Sequence, residues 1–261
     1  MNSVSMIKPL VSIIMPAYNS AKEIANSIGS VLSQRLSEWA LIVSDDGSTD
    51  DTVEFVRELQ SADTRVNLLT SGKNCGPAHA RNAAIEAATG RYIAFLDSDD
   101  LWKPEKLERQ IAFMQERDIA FSFSSYDRID EAGIFINTHR VEKPVTYRDL
   151  LKTCNIGCLT AVYDTEKLGK VYMPDIRKRQ DFGLWLRILK QVDAAYPVRE
   201  SLAQYRVRSG SISANKIQAA KYTWSIYRDV EKLGLLRSSY YFAHYAAHGV
   251  FNTYVKPNLD V

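Results

Sequence analysis

The chain has 261 residues, 46% of them hydrophobic, and a formal net charge of +2. This length and hydrophobic fraction are typical of a large globular domain, and the balanced charge disfavours a nucleic-acid-binding protein. No apolar run approaches the roughly 20 residues of a membrane-spanning helix, and the N-terminus lacks an apolar secretory segment, so the sequence predicts a cytoplasmic protein.

The three cysteines, Cys75, Cys154 and Cys158, are an odd number at no spacing typical of a disulfide framework, so we expect reduced thiols. Cys154 and Cys158 could instead bind zinc with His139 if the two cysteines share a helical face. The sequence offers no fourth ligand, which disfavours a zinc site.

The first half of the chain alternates strand and helix patterns. Residues 10–15 form a short apolar run rich in β-branched residues, which predicts a strand buried on both faces and ending at Pro16. Asn19 or Ser20 can cap the helix that follows. Four apolar positions then fall on one face of that helix: Ile24, Ile28, Val31 and Leu32.

Three more strands are predicted at residues 39–43, 66–69 and 92–96. Helices separate them, and the third helix of this half, over residues 78–88, consists of mostly small residues and ends before Gly90. Strands and helices in this alternation imply an α/β fold with a parallel sheet and right-handed crossovers.

Ligands of such sheets bind beyond the carboxyl ends of the strands. Three predicted strand ends carry polar groups: Tyr18-Asn19, Asp45-Asp46 and Asp97-Ser98-Asp99-Asp100. We therefore expect a functional site at the edge of the sheet where these strands end.

The second half is less regular. Helices are predicted at residues 104–117 and 181–190, and strands at 119–126 and 129–138, which suggest a hairpin. From residue 214 onward the pattern is helical and rich in aromatic residues.

The acidic group Asp97, Asp99 and Asp100 follows an apolar strand directly. Carboxylates at that density repel one another, and a hard divalent cation such as Mg²⁺ or Mn²⁺ would relieve the repulsion by taking oxygen ligands. The alternative is a solvated acidic turn that caps the helix beginning near Lys103-Pro104.

Three other segments are candidates for chemistry. Asp45 could accept a hydrogen bond from a nucleobase N–H, or cap a helix. The two adjacent aspartates before Gly47 exceed what a cap requires, which favours the ligand contact. Gly76 and Pro77 begin a predicted helix with Arg81 one turn later, which suits an anionic ligand, although an ordinary loop-to-helix junction would look the same. Asp181 begins a helix downstream and is either an N-cap or a general base for an incoming hydroxyl.

Five motifs stand in order along the chain. They are Val11-Ser-Ile-Ile-Met-Pro-Ala-Tyr-Asn19, Asp45-Asp-Gly-Ser48, Gly76-Pro-Ala-His-Ala-Arg-Asn82, Asp97-Ser-Asp-Asp100 and Gln180-Asp181. Together they resemble the family 2 inverting glycosyltransferases. The resemblance implies a GT-A-type, Rossmann-like nucleotide-binding fold, with a mainly parallel central sheet flanked by helices and a C-terminal helical extension.

The resemblance also implies an activity. A sugar would pass from a nucleotide-sugar donor, with a UDP-sugar favoured over a GDP-sugar, to a hydroxyl of a glycan or lipid-linked acceptor, with inversion. The divalent metal, Mn²⁺ or Mg²⁺, would be bound by Asp99, the favoured ligand, and by Asp97. Asp181 would be the general base. The implied setting is bacterial surface polysaccharide or lipopolysaccharide synthesis.

The substrate-binding residues implied by the resemblance are Pro16, Ala17, Tyr18, Asn19, Asp45, Asp46, Gly76, Pro77, Arg81, Asp97, Ser98, Gln180, Arg206 and Arg208. By this carry-over Pro16, Ala17 and Tyr18 line the nucleotide pocket, while Asp45 contacts the uracil. Arg208 stands where a histidine is common in the family's Tyr-Arg-x-His-x-x-Ser pattern, which puts a third protein ligand for the metal in doubt. The run Arg177-Lys178-Arg179 is interpreted as a solvated face rather than a phosphate clamp.

We expect a GT-A domain over residues 1–212, with a nucleotide-sugar half at about 8–103 and an acceptor half at about 104–212. A helical extension over 213–261 interleaves aromatic and basic residues, as at 221–228. This composition suits either a membrane interface or helices packed against the catalytic domain, and it predicts weak peripheral association with the inner face of a membrane.

Two other functions are consistent with parts of the sequence. A haloacid-dehalogenase-like phosphatase also has Asp-x-Asp after an apolar strand, but there the motif usually lies near the chain start, whereas Asp97 follows three earlier strands. A nucleotide-sugar-binding module without catalysis is the second alternative, and Asp181 argues against it.

Overall fold

The computed structural model describes residues 8–207 and 216–254. Its strands are β1 Val11–Ala17, β2 Trp39–Asp45, β3 Val66–Thr70, β4 Tyr92–Phe95, β5 Leu101–Trp102, β6 Phe121–Ile129, β7 Phe135–His139, β8 Val162–Asp164 and β9 Tyr196–Arg206. Its α-helices are α1 Ile24–Leu32, α2 Thr52–Ala62, α3 Pro77–Ala87, α4 Lys106–Glu116, α5 Tyr147–Lys152, α6 Thr165–Leu168, α7 Gln180–Leu189, α8 Lys216–Ser225 and α9 Leu235–Tyr254. A 3₁₀ turn covers Cys158–Thr160 and a π-helical turn Ile226–Val230.

The strands of the described residues form one mixed sheet in the order β3-β2-β1-β4-β8-β6-β9-β5, with β7 paired to β6. The first four strands in this order are parallel, as predicted. Beyond β4 the pairing becomes mixed, because β8 runs antiparallel to both β4 and β6, whereas β9 runs parallel to β6.

Apolar side chains form a core on each face of this sheet. Along β1, Ile14 packs into the core that contains Trp185 of α7, whereas Ile13 packs into the core that contains Ile28 of α1 and Ile111 of α4. Neighbouring residues of a strand point to opposite faces, so β1 has to be apolar throughout. The α/β class predicted from the alternation of strands and helices is therefore confirmed.

The predicted elements of the first half are confirmed with three local corrections. Leu32 belongs to the predicted apolar face of the first helix, but it is 39% exposed. Helix α1 has Glu23 at its N-cap position, and neither Asn19 nor Ser20 occupies it. Gly90 lies beyond the C-cap of α3, and a Cβ there would lie 2.6 Å from the backbone nitrogen of Ser12, so a close approach to β1 explains this glycine.

The second half contains the predicted helices, α4 and α7, and the predicted hairpin of β6 and β7. Sequence reasoning missed the long strand β9, which pairs with β6 across register shifts near Ser124 and Ser125. It also missed α5, α6, β5 and β8. These elements are short or irregular, so their apolar residues show no sustained periodicity.

Among residues 8–207 and 216–254, no helix is both long enough and apolar enough to cross a bilayer.

Candidate active site

A cleft of about 720 Å³ lies beyond the end of β4, between the acidic turn that follows that strand, the start of α7 and one side of α8. Seven of the predicted site residues line it: Pro77, Arg81, Asp97, Asp99, Gln180, Asp181 and Arg206. The residues predicted to hold the nucleotide base, including Tyr18 and Asp45, are not among its lining residues.

The loops that follow β1, β2 and β4 are joined at the carboxyl edge of the sheet. The backbone N–H of Asn19 donates to the Ser48 hydroxyl at 2.8 Å, and the Asn19 side-chain oxygen accepts from the backbone N–H of Thr49 at 2.8 Å. The hydroxyls of Ser20 and Ser98 lie 2.8 Å apart. The prediction that these three strand ends meet at one edge is thereby confirmed, and Asn19 and Ser98 are seen to hold the edge together.

The acidic turn crowds three carboxyl groups. The backbone N–H of Asp100 donates to the carbonyl of Asp97 at 3.1 Å, which closes the turn. The Asp100 side chain is buried and accepts the backbone N–H of Arg206 at 3.0 Å. Burial, together with the charges of Asp99 and Asp97, raises the pKa of Asp100 well above its usual range. All three carboxyl groups line the cleft, and Asp100 also supports the turn through its bond to Arg206.

Arg81 and Asp97 form an ion pair inside the cleft. The guanidinium donates from Nη2 to Oδ1 of Asp97 at 2.5 Å, and Arg81 itself is buried. The Nε of Arg81 is buried too and has no hydrogen-bond partner among the described residues. Because Arg81 and Asp97 pair with each other, each offers a ligand less net charge than the sequence predicts.

Arg206 has a positioning role that sequence reasoning did not anticipate. Its guanidinium donates to the carbonyl oxygens of Asp99 at 3.2 Å, Asp130 at 3.4 Å and Glu131 at 3.0 Å. These bonds connect the end of β9 to the acidic turn and to the β6–β7 hairpin. Its predicted substrate contact stays a prediction, and Arg208 lies outside the described residues.

The adjacent acids Asp45 and Asp46 are both buried and both bonded to backbone. Asp45 accepts the backbone N–H groups of Gly47 at 3.0 Å and Ser48 at 3.1 Å, and also the Ser48 hydroxyl. Asp46 accepts the N–H groups of Cys75 at 2.7 Å and Gly76 at 2.8 Å. The sequence predicts that two adjacent acids exceed what a helix cap requires. The structure gives each its own set of backbone donors, so their presence alone does not indicate a ligand.

Two consequences follow for the expected nucleotide pocket. The Gly76 N–H at the start of α3 donates to the Asp46 carboxylate, so it is not available to an anionic ligand. Ala17 is buried, whereas the Tyr18 side chain is 49% exposed, so its ring can stack on a planar base. The roles of Pro16, Ala17, Tyr18 and Asp45 towards a nucleotide stay predictions.

Asp181 is the second residue of α7, and it does not cap that helix. The N-cap position belongs to Arg179, which makes no side-chain capping bond and has a left-handed φ of 60°. Burial raises the pKa of Asp181, and the charges of Arg81 and Arg179 oppose that rise. The plain N-cap interpretation is wrong, because Asp181 lies within the first turn of α7, where it lines the cleft.

Aromatic packing fixes Asp181 relative to the acidic turn. Trp185, one helical turn after Asp181, packs edge-on against Phe95 with ring centroids 5.3 Å apart. Phe95 is the last residue of β4, two positions before Asp97. Packing in the core therefore fixes the position of Asp181 on α7 relative to Asp97 after β4.

Several cleft residues were not predicted as site residues. Tyr126, Cys154, Cys158, Arg177, Lys178, Arg179, Tyr205 and Tyr222 all line the cleft. The run Arg177-Lys178-Arg179 was interpreted as a solvated face, and its position directly before Gln180-Asp181 was the signal that could have placed it in the site. Tyr222 lies on α8, so the C-terminal extension forms part of the cleft wall.

The cysteines show no sign of a metal site. All three are free, and burial raises the pKa of Cys154 to about 12, which keeps it a neutral thiol. His139 instead stacks on Tyr126 at 4.9 Å. Across residues 8–207 and 216–254, no three His, Cys, Asp or Glu side chains are grouped as metal ligands.

A divalent cation still fits the acidic turn on the chemistry of its donors. Asp97 and Asp99 offer hard oxygen atoms on the cleft wall, and their negative charges add to the effect of burial in raising the pKa of Asp100. Mg²⁺ commonly takes one or two carboxylates and completes its shell with water and substrate phosphates. Two protein ligands are therefore sufficient for a cation that arrives with a diphosphate.

The sequence matches the family described as glycosyl transferase family 2 over residues 12–164. The chain belongs to this glycosyltransferase family. It is 44% identical to TuaG of Bacillus subtilis (strain 168), a glycosyltransferase assigned to teichuronic acid biosynthesis, over 93% of this chain and 97% of the relative. It is 41% identical to WfgD of Escherichia coli, named a UDP-Glc:α-D-GlcNAc-diphosphoundecaprenol β-1,3-glucosyltransferase, over 92% of this chain and 94% of the relative.

Two solved structures share the fold. Residues 1–349 of TarS from S. aureus, in complex with UDP-GlcNAc, align with a TM-score of 0.70 at 20% identity over 93% of this chain and 73% of that chain. The mannosyltransferase PcManGT from Pyrobaculum calidifontis, in complex with GDP-Man and Mn²⁺, aligns with a TM-score of 0.65 at 19% identity over 95% and 76%. The GT-A fold is thereby confirmed, and family membership removes the phosphatase interpretation.

Proposed function

We propose that the chain transfers a sugar from a UDP-sugar to a hydroxyl of a lipid-linked glycan acceptor, with inversion at the anomeric carbon. The observation that carries this proposal is the shared cleft, because Asp97 and Asp99 line one wall and Asp181 lines another. Relatives that cover nearly the whole chain support the substrate classes, since one is named for a UDP-Glc donor and a diphosphoundecaprenol-linked acceptor.

The proposed reaction is a single displacement. The acceptor hydroxyl attacks the anomeric carbon and gives its proton to the Asp181 carboxylate, while the bond from that carbon to the diphosphate oxygen breaks and UDP leaves with the electron pair. A base works best when its pKa lies near the working pH, and burial moves the pKa of Asp181 in that direction.

The donor would lie along the acidic turn. Asp99 and Asp97 are the proposed ligands for Mg²⁺ or Mn²⁺, which when bound would offset negative charge on the departing diphosphate. Arg81 holds Asp97 in position through their ion pair. The uracil of the donor would lie near the half-exposed ring of Tyr18. That end of the pocket would be shaped by Pro16, Ala17, Asn19, Asp45 and Asp46.

The proposed domain division keeps residues 1–212 as the glycosyltransferase domain and 213–261 as a helical extension. Because Ala219 and Tyr222 of α8 line the cleft, the extension would complete the acceptor side of the site. Weak association with the inner face of a membrane is the proposed localisation. It is supported by exposed Leu235, Leu236 and Tyr240, which lie beside Arg237 at the start of α9.

A transfer assay tests this function. The purified chain, with Mn²⁺, is incubated with UDP-glucose, UDP-GlcNAc or GDP-mannose and with GlcNAc-diphosphate-polyprenol, and products are resolved by mass spectrometry. We expect a disaccharide product from a UDP-sugar with the opposite anomeric configuration to the donor. UDP binding without any product would instead favour the non-catalytic module.

A further inference from the structure

The cleft is electrostatically divided. The acidic turn occupies one wall, whereas Arg177, Lys178 and Arg179 line the wall that leads into α7. None of the salt bridges among residues 8–207 and 216–254 involves these three cations. Three cations that face a cleft and form no salt bridge within these residues are suited to an anion of more than one charge.

The C-terminal helices hold two of these cations in place. The Lys178 ammonium donates to the side-chain oxygen of Gln218 and lies 5.7 Å from the ring centroid of Tyr222. The Arg179 guanidinium donates to the Tyr245 hydroxyl at 2.8 Å and lies 5.1 Å from that ring. Neutral partners orient both side chains without cancelling their charge, so the positive charge stays available to a ligand.

The backbone of this segment is also held in an unusual conformation. Arg179 has φ 60° and ψ 27°, a left-handed conformation that residues with a Cβ rarely adopt. Such residues cluster at ligand-binding sites, where surrounding structure maintains them. Here the conformation begins α7 and brings Arg179 close enough to Asp181 for its charge to oppose the rise of the Asp181 pKa.

The position next to the base identifies which substrate carries the anion. The donor diphosphate belongs at the opposite wall, with Asp97 and Asp99. Arg179 and Asp181 are two residues apart, so their Cα atoms are at most roughly 7 Å apart. An anion bound here would therefore be attached to the acceptor, one sugar ring away from the hydroxyl that Asp181 deprotonates.

We propose that Arg177, Lys178 and Arg179 bind the diphosphate of a polyprenyl-diphosphate-linked acceptor. This inference rests on the proposed transfer to a lipid-linked acceptor. Helix α9 connects the site to the surface where the lipid would be held: from Tyr245 back to Leu235 is ten residues, or about 15 Å of helix. The exposed side chains of Leu235 and Leu236 mark that end of α9.

The first test compares two acceptors. The double variant Arg177→Gln with Lys178→Gln is assayed with GlcNAc-diphosphate-polyprenol and with a neutral alkyl GlcNAc glycoside. We expect the KM for the diphosphate acceptor to rise at least about tenfold, and the KM values for the neutral acceptor and the UDP-sugar to change less than about twofold. The matched control is Arg57→Gln with Lys143→Gln, both exposed and outside the cleft lining, and it should behave as wild type.

Three results would overturn the inference. An unchanged KM for the diphosphate acceptor would mean that the cations do not bind it. An equal rise for both acceptors would indicate a general effect on the fold or on Asp181. A rise confined to the UDP-sugar would assign the cations to the donor. Recovery of the wild-type KM in Arg177→Lys with Lys178→Arg would support a role for charge.

A binding experiment separates this inference from the proposed function. Farnesyl diphosphate and farnesol are titrated calorimetrically into the wild type and the double Gln variant, with UDP and Mg²⁺ saturating so that the donor site is filled. We expect the wild type to bind only the diphosphate and the variant to bind it at least about tenfold more weakly. Binding by wild type without any sugar transfer would refute the proposed function alone. Equal binding by wild type and variant would refute the diphosphate site.

Discussion

Replacement of Asp181 by Asn tests the proposed mechanism most directly. Asn has nearly the same shape, and its side-chain oxygen can still accept the hydrogen bond that the Asp181 carboxyl takes from the backbone N–H of Phe182. Because burial raises the pKa of Asp181, holding its charged form costs free energy in the folded state. The neutral amide removes that cost, so we expect the Tm at pH 7.5 to be equal to or higher than that of the wild type.

The expected loss of turnover follows from the role of the base. General-base catalysis contributes about 10²- to 10⁴-fold, which corresponds to about 2.7 to 5.5 kcal/mol of transition-state stabilisation. UDP should bind to Asp181→Asn as tightly as to wild type or slightly more tightly. The reason is that Asp181 offsets part of the positive charge of Arg81, and the amide leaves that charge available to the donor diphosphate.

Two measurements check this prediction. Steady-state kinetics gives kcat, and a calorimetric titration with UDP and Mn²⁺ gives Kd. A pH series adds a third signature: wild-type kcat should fall as the pH drops through the raised pKa of Asp181, and this acid limb should disappear in Asp181→Asn. A variant with kcat within tenfold of wild type would exclude Asp181 as the base. A variant that had lost UDP binding would show that Asp181 shapes the donor site instead.

Three further changes should have distinct effects. Asp99→Asn should lower kcat at least about tenfold and abolish the effect of Mn²⁺ on the UDP-induced thermal shift; a retained Mn²⁺ effect would exclude Asp99 as a ligand. Lys106 is buried and its pKa is lowered to about 7, so the folded state binds its proton less tightly than the unfolded chain and stability rises with pH from about 7 to 10. Between pH 7.5 and 9.0 the unfolding free energy, measured by urea titration, should rise by about 2 kcal/mol less in Lys106→Met than in wild type. An equal rise in both proteins would contradict the lowered pKa. Leu235→Ser with Leu236→Ser should abolish co-sedimentation with anionic liposomes at low salt, whereas Leu32→Ser, also at an exposed leucine, should not; no sedimentation of the wild type would remove the proposed membrane association.

The acidic pair at the end of β2, Asp45 and Asp46, makes contacts that no local sequence pattern predicts. Two adjacent aspartates suggested a ligand, because a cap needs only one. In the structure Asp46 accepts two N–H groups from Cys75 and Gly76, about 30 positions along the chain. No spacing in the sequence predicts this contact, because only the parallel pairing of β2 with β3 brings the loop between β3 and α3 close to Asp46.

The basic run before α7 illustrates the same limit. Charged runs usually face solvent, and Arg177-Lys178-Arg179 was interpreted that way. The structure folds α8 and α9 over this segment, so Gln218, Tyr222 and Tyr245 contact its side chains. These contacts join residues that are 40 or more positions apart in the sequence, so no local pattern predicts them.

The sequence by itself determined the α/β class, the strands and helices of the first half, the edge where three polar strand ends meet, and the family. These depend on local signals, namely buried β-branched runs, helical periodicity and short motifs, which act within a few residues. Only the tertiary structure decided which carboxylates face the cleft, what Arg81 and Arg206 contact, and that β9 and α8 line the cleft. Those outcomes depend on packing and hydrogen bonds between segments that are distant in the sequence and that only the complete fold brings into contact.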